Sequence, residues 1–153
     1  MKKKMMQAIF LLLFISGLIV GYLLPGDLKD FTKKPLQASI LDVPKKMGQL
    51  DQESQYFKYS VLADAKTGSV ELVMLDDKIP MHKHSNQNHF VYIYKGKVSA
   101  KIGGVTSEAG PGQLLVIPAG AAHSIQRIGD SPVEIMVFST PAWMKEDTIF
   151  LKE

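Results

Sequence analysis

From residue 39 onward, the hydrophobic positions of the chain fall into short runs separated by turn residues such as Gly103-Gly104 and Pro118-Ala119-Gly120. Short runs with glycine- and proline-rich breaks are typical of β-strands. Their spacing of roughly ten residues is typical of a β-sandwich or barrel. The predicted strands are 70–75, 90–94, 98–102, 105–107, 114–117, 124–128 and 133–139. No sustained helical period follows Leu24, so we predict an all-β domain over residues 39–153.

An apolar segment of a different kind precedes this domain. Residues 8–24 carry no charge, and as a helix they would span roughly 25 Å, close to the hydrocarbon thickness of a bilayer. Lys2, Lys3 and Lys4 come first, which favours a cytoplasmic N-terminus and a translocated domain. We therefore predict a hydrophobic membrane-anchoring helix within residues 1–26, a linker over residues 27–38, and a domain outside the cytoplasm, periplasmic or extracellular.

Two other interpretations of the apolar segment stay open. A cleaved signal peptide would release the domain as a secreted protein, although the segment ends without an Ala-x-Ala-like cleavage site. A helix buried in the domain itself would normally show a polar stripe, and this segment has almost none.

The composition is that of a globular protein, with 46% hydrophobic and 22% charged residues. The absence of cysteine excludes disulfides, thiolate metal sites and a cysteine nucleophile. The net charge is +3, and Lys2, Lys3 and Lys4 account for it, because the other fifteen basic residues balance fifteen acidic ones. A neutral domain is a poor partner for nucleic acid, so we predict no nucleic-acid binding.

The four histidines are the candidate functional residues of the chain. His82 and His84 are two residues apart, so in a strand they point to the same side, about 7 Å apart along the chain. His89 opens the next predicted strand, and His123 follows a Pro-x-Gly turn. Imidazole is the commonest nitrogen ligand of transition metals. An isolated histidine is usually just a satisfied polar residue, but four in this arrangement indicate a metal site.

The arrangement resembles the two sequence motifs of the cupin family. The first motif reads G-x5-H-x-H-x3,4-E-x6-G, and the second reads G-x5-P-x-G-x2-H-x3-N. The spacing of both agrees over residues 70–141, and the resemblance extends plausibly from residue 39. The matching positions are His82, His84, His89 and Gly96 for the first motif, and Gly112, Pro118, Gly120, His123 and Arg127 for the second.

The chain departs from the family pattern at three positions. Asp76 replaces the leading glycine of the first motif, Arg127 replaces the closing asparagine of the second, and His89 replaces the glutamate ligand. The resemblance implies a double-stranded β-helix (jelly-roll) barrel. Family members usually bind metal through three histidines and that glutamate, so the resemblance implies an all-nitrogen set here: His82, His84, His89 and His123.

An all-imidazole set has consequences for the metal. Without a carboxylate ligand, a divalent ion keeps its full charge and is a stronger Lewis acid. The set disfavours Mg and Ca and suits one divalent Mn, Fe, Ni, Cu or Zn ion. Octahedral Mn or Fe would keep two open positions, whereas tetrahedral Zn held by all four histidines would be closed and structural. A third arrangement leaves His89 unligated, which gives a three-histidine site.

Other residues carry weaker expectations. Arg127 is in phase with His123 along its strand, so it could reach the barrel lumen and bind a carboxylate substrate, although a solvated arginine at a strand end is the plainer interpretation. The aromatic side chains of residues 90, 92 and 94 face away from His89, towards core or subunit packing. Residues 55–63 are a candidate strand for homodimer formation, and residues 145–153 are expected to be a solvated terminus.

Three functions are compatible with these residues. The first is an oxygenase-type enzyme that binds a small organic substrate on the metal, because the sequence shows no obvious general base besides the ligands. The second is a non-catalytic module that binds a metal or a small ligand. The third is a closed zinc site that only stabilises the barrel.

Overall fold

The computed structural model describes residues 35–152, which form two antiparallel β-sheets. The six-stranded sheet has the order β1-β2-β3-β10-β5-β8, and the five-stranded sheet has the order β11-β4-β9-β6-β7. The elements are a short helix α1 (Val43–Met47), β1 (Gln52–Glu53), β2 (Phe57–Ala65), β3 (Gly68–Leu75), β4 (Lys78–His84), β5 (Asn88–Lys95), β6 (Lys97–Ile102), β7 (Val105–Ala109), β8 (Leu114–Ile117), β9 (His123–Ile128), β10 (Val133–Thr140), a 3-10 turn (Lys145–Asp147) and β11 (Thr148–Phe150).

The hydrophobic core lies between the two sheets, because both turn their apolar positions inward. On β5, Val91 and Ile93 are buried in phase with His89, while the residues between them are more exposed. Val73 of the six-stranded sheet and Ile125 of the five-stranded sheet belong to the same core. The alternation along β5 is therefore what directs His89 into the barrel interior.

All seven predicted strands are present, and their bounds shift by two residues at most. Strands β1 and β11 were not predicted. Strand β2 overlaps the candidate strand at residues 55–63, and β4 carries His82 and His84, for which a strand was assumed without bounds. The expectation of no helix after Leu24 misses α1, which is too short to show a period. It begins after Asp42, whose Oδ1 accepts a hydrogen bond from the backbone N–H of Lys45 at 3.0 Å.

The predicted solvated terminus at residues 145–153 is wrong for its described part. Strand β11 pairs with β4, with Thr148 opposite His84 and Phe150 opposite His82. Asp147 is only 7% exposed. One acidic residue of this charged segment is therefore buried, and its carboxylate accepts hydrogen bonds from Asn86.

The predicted anchor over residues 1–26 and most of the linker lie outside the described residues. The last linker residues, 35–38, are exposed and belong to neither helix nor strand. Between residues 35 and 152, no helix has the length and apolar character needed to cross a membrane.

Candidate functional site

Three histidines meet inside the barrel on the five-stranded sheet. His82 and His84 project from the inner face of β4, and His123 projects from β9 directly opposite His82. One ring nitrogen from each lies within 4.8 Å of the others, and all three side chains are buried. We call His82, His84 and His123 the histidine cluster.

A glycine turn places His123 within this cluster. Gly120 has a φ of +79°, a backbone conformation that residues other than glycine rarely adopt. Its backbone N–H donates to the carbonyl oxygen of His84 at 2.6 Å. This bond holds the loop before β9 against the end of β4, which explains the Pro-x-Gly spacing ahead of His123.

Backbone carbonyls fix the orientation of two rings in the cluster. Nδ1 of His82 lies 2.7 Å from the carbonyl oxygen of Pro80, and Nδ1 of His123 lies 2.9 Å from that of Ala121. A carbonyl oxygen only accepts, so in each neutral ring Nδ1 carries the proton and the Nε2 lone pair stays available. Such outer hydrogen bonds are typical of metal-ligating histidines.

Burial keeps the histidine rings neutral. Burial, together with the neighbouring histidines, lowers the pKa of His82 to about 4 and that of His84 to about 3. Burial also lowers the pKa of His123. Because a metal competes with protons for these nitrogens, a depressed pKa leaves the lone pairs free at neutral pH.

His89 comes from the opposite, six-stranded sheet and is not part of the cluster. Its ring lies against that of His84, with centroids 4.0 Å apart and planes inclined by 32°. Nε2 of His89 is 3.5 Å from Oε1 of Gln87, whose amide nitrogen donates to the carbonyl oxygen of Ala142 at 2.9 Å. Burial lowers the pKa of His89 to about 4. Metal ligation by His89 stays a prediction.

The cluster opens into a cavity of about 460 Å³, a volume typical of small-molecule sites. His89 also faces this cavity. Its remaining walls are mainly apolar and aromatic, and include Tyr56, Phe57, Tyr59, Val91, Trp143 and Phe150. Tyr56, Phe57 and Tyr59 belong to the predicted dimer segment, so part of that segment serves the cavity.

Glu71 is the cavity residue that sequence reasoning missed. It lies on β3, is 4% exposed, and contributes to the cavity lining. The hydroxyl of Ser139 donates to its Oε2 at 3.2 Å. The available signal was one acidic residue inside the apolar run 70–75, at an inward position shared with Val73 and Leu75.

The C-terminal segment, residues 145–151, closes one side of the site. The carboxylate of Asp147 accepts hydrogen bonds from the backbone N–H of Asn86 at 3.0 Å and from its side-chain amide at 2.9 Å. Burial tends to raise the pKa of Asp147, but these hydrogen bonds outweigh it and the pKa is lowered. The ring of Phe150 lies against His82, with centroids 5.6 Å apart.

Arg127 does not line the cavity. It lies on β9 four residues beyond His123, about 13 Å along the strand, and its guanidinium Nη1 donates to the carbonyl oxygen of Gly129. The structure therefore does not bring the predicted carboxylate-binding residue to the histidine cluster. As predicted, Phe90 and Tyr92 point away from His89, onto the outer face of their sheet.

Comparison with known proteins identifies this architecture. Residues 70–139 match the family model described as Cupin domain. They form a cupin domain. An uncharacterized protein of Methanocaldococcus jannaschii is 30% identical over 81 residues, which cover 53% of this chain and 65% of that protein. The match thus spans less than two thirds of the relative's length.

Solved structures share the cupin fold at low sequence identity. The Schizosaccharomyces pombe Cnp3 cupin domain has a TM-score of 0.58 and 16% identity, covering 62% of this chain and 71% of its own. The structure of Streptomyces PAC13 with uridine has a TM-score of 0.58 and 13% identity. The match covers 66% of this chain and 82% of the PAC13 chain. These likenesses establish the fold, so the predicted all-β cupin barrel is confirmed.

The histidine cluster of this cupin domain fits a divalent transition metal. Its donors are buried, neutral imidazole nitrogens on two adjacent strands, with the tautomers of His82 and His123 set by carbonyl groups. Nitrogen donors suit Mn, Fe, Ni, Cu and Zn better than Mg or Ca. The cluster therefore has the chemistry of a metal-binding cupin, and the identity of the metal is left to experiment.

Proposed function

We propose that the cupin domain is a metal-dependent enzyme of the oxygenase type that acts on a small organic substrate. The observation that carries the proposal is the position of the histidine cluster. Its three donors face a 460 Å³ cavity, and the fourth histidine belongs to the opposite sheet. Three protein ligands with access to a cavity are typical of catalytic metal sites, whereas structural zinc sites are closed by four.

Each part of the site has a role in this proposal. His82, His84 and His123 hold the metal. His89, which the sequence predicts as a fourth ligand, faces the same cavity from the opposite sheet. When bound, the metal supplies a Lewis acid that polarises substrate oxygens or, if it is redox-active, a centre for dioxygen activation. The aromatic walls bind the apolar body of the substrate and exclude water. The uridine in the Streptomyces PAC13 structure supports a small-molecule ligand for this barrel type.

Metal analysis of the purified full-length chain tests the proposal. We expect about one Mn, Fe, Ni or Cu ion per chain, lost in His123→Ala and kept in Gln126→Ala, an exposed position on the same strand. Metal-dependent dioxygen uptake in a screen of small organic compounds would support the enzyme. One metal without turnover would favour a non-catalytic binding module. A closed tetrahedral zinc would favour a structural site. No metal after reconstitution would exclude the metal-dependent enzyme, the metal-binding module and the structural zinc site, and would leave only binding of a small ligand.

We also propose that residues 1–26 anchor the domain in a membrane, with the domain outside the cytoplasm. The support is the uncharged run at residues 8–24 preceded by three lysines. The full-length chain should stay in the membrane fraction after carbonate extraction, and external protease should reach the domain. Release of a shortened chain into the medium or periplasm would instead indicate a cleaved signal peptide.

A further inference from the structure

The cavity contains a buried carboxylate whose chemistry the metal site does not explain. Glu71 lines the cavity and is 4% exposed, whereas Glu53 and Lys145, which also line it, are solvent-exposed. Because Glu71 lines the cavity, its carboxyl group can accept a hydrogen bond from a polar group of a ligand inside it.

The sheet register locates Glu71 relative to the histidines. Glu71 pairs with Val137 of β10, and Val137 pairs with Val91 of β5, two residues beyond His89. Two strand spacings across and one same-face step along the sheet separate the Cα atoms of Glu71 and His89 by about 12 Å. Glu71 and the histidines line the same cavity, so a small ligand inside it can contact both.

Ser139 holds the carboxylate in place. Its hydroxyl donates to Oε2 of Glu71 at 3.2 Å, and Ser139 is itself buried opposite His89. The hydrogen bond is between two inward-facing side chains on paired strands, so it restricts the carboxylate to the inner wall. A fixed acceptor in an apolar cavity discriminates strongly between ligands with and without a matching donor.

The charges of the site define the other end of the ligand. A divalent ion on neutral imidazoles would keep its positive charge inside a largely apolar cavity. A ligand with an anionic oxygen would neutralise part of that charge. Arg127, the predicted carboxylate partner, lies away from the cavity, so the described lining offers no arginine for that anion.

We propose that Glu71 is a specificity-determining residue for a substrate with three parts: an anionic oxygen towards the histidine cluster, an apolar or aromatic body, and a hydroxyl or amine that donates to Glu71. The anionic end rests on the proposed metal-dependent function. The donor end rests only on the burial and position of Glu71.

Matched probes test both ends by calorimetric titration of the full-length chain. With metal-loaded protein, 4-hydroxybenzoate should bind about tenfold more tightly than 4-fluorobenzoate, which has no donor at that position. Glu71→Leu should reduce this ratio to near one. Glu71→Gln, which keeps an acceptor but loses the charge, should give an intermediate ratio. Glu53→Gln, at the exposed part of the lining, should leave the ratio unchanged.

Metal-free protein separates this proposal from the metal-dependent function. There, phenol should still bind more tightly than fluorobenzene, and Glu71→Leu should abolish the difference. If the chain binds no metal but keeps this preference, the proposed enzyme fails and the role of Glu71 stands. A hydroxyl preference that is absent from the wild type, or that survives undiminished in a folded Glu71→Leu protein, overturns the role of Glu71.

Discussion

The side-chain oxygen of Thr148 lies 3.4 Å from Nδ1 of His84, which joins strand β11 to the histidine cluster. The two residues are also directly opposite each other in the pairing of β11 with β4. A contact on Nδ1 restricts the orientation of the His84 ring, and it leaves Nε2 with an available lone pair when the threonine hydroxyl accepts the hydrogen bond. The C-terminal segment is thus part of the site.

Replacing Thr148 with valine should weaken metal binding. The change keeps the shape of the side chain and removes the hydroxyl that orients His84, so we expect the metal affinity to fall by about tenfold to a hundredfold. Competition with a chromogenic chelator measures the change. Thr148→Ser keeps the hydroxyl and should bind like the wild type, and equal affinity in the valine variant would remove Thr148 from the site.

His89 and His123 should differ in their importance for the metal. His123→Ala removes one of three converging nitrogens, so we expect the affinity to fall by more than about a hundredfold. His89→Ala removes a ring from the opposite sheet, and we expect a decrease of at most about tenfold with one metal per chain retained. Elemental analysis after dialysis distinguishes the two. Equal loss in both variants would establish His89 as a fourth ligand, as the sequence predicts.

Asp147 should stabilise the fold through Asn86. Asp147→Ala removes the acceptor of two part-buried hydrogen bonds from Asn86, so we expect the free energy of unfolding to fall by about 1 to 3 kcal/mol. Urea denaturation measures it. The control is Glu108→Ala, at an exposed strand position, with an expected change within about 0.5 kcal/mol. Similar stability of the two variants would mean that the contact between Asp147 and Asn86 does not stabilise the fold.

Acid should destabilise the metal-free domain in a defined window. The pKa values of His82, His84 and His89 in the fold are about 3 to 4, against 6.5 ordinarily. Below pH 6.5 the unfolded chain therefore binds protons that the folded chain does not. The contribution of the neutral histidines to the free energy of unfolding is fully present above pH 6.5. It decreases towards pH 4 by about 1 kcal/mol per histidine per pH unit.

Thermal or urea unfolding over this range tests the pH dependence. His89→Gln removes one of the titrating rings, so its stability should decrease less between pH 6.5 and pH 4.5 than that of the wild type. Parallel curves for the two proteins would mean that His89 is not held neutral by the fold.

Homodimer formation stays a prediction, and the six-stranded sheet is the place to test it. Within residues 55–63, Val61 of β2 is 39% exposed, and Val116 and Phe138 expose apolar surface on the same sheet. We expect the chain from Asp27 onward to elute as a dimer by light scattering. Val61→Glu should give monomers, and Val105→Glu, on the other sheet, should not. Monomeric wild-type protein would refute the dimer.

The local signals of the sequence predicted most of the barrel. Alternation along β5 correctly directed His89, Val91 and Ile93 inward, because a strand with one buried face must repeat every two residues. Motif spacing brought His82, His84 and His123 together, because His-x-His sets one face of a strand and the Pro-x-Gly turn sets the entry of the next.

Three features depended on long-range contacts and could not be predicted. The partner of Asp147 is 61 residues away, and Ser139 is 68 residues from Glu71. Whether a charged residue is buried depends on such partners and not on its neighbours in the chain. The separation of His89 from the cluster has the same origin, since spacing along the chain does not reveal that β4 and β5 belong to different sheets.

The distribution of the site over the two sheets has an evolutionary consequence. The histidine cluster lies on the five-stranded sheet, and Glu71, Ser139 and His89 lie on the six-stranded sheet. Mutations in one sheet can therefore alter which molecules are accepted while the metal-binding strands of the other stay as they are. Related proteins could therefore differ in their substrates and still share the same metal site. Directed evolution of this barrel should begin at β3 and β10.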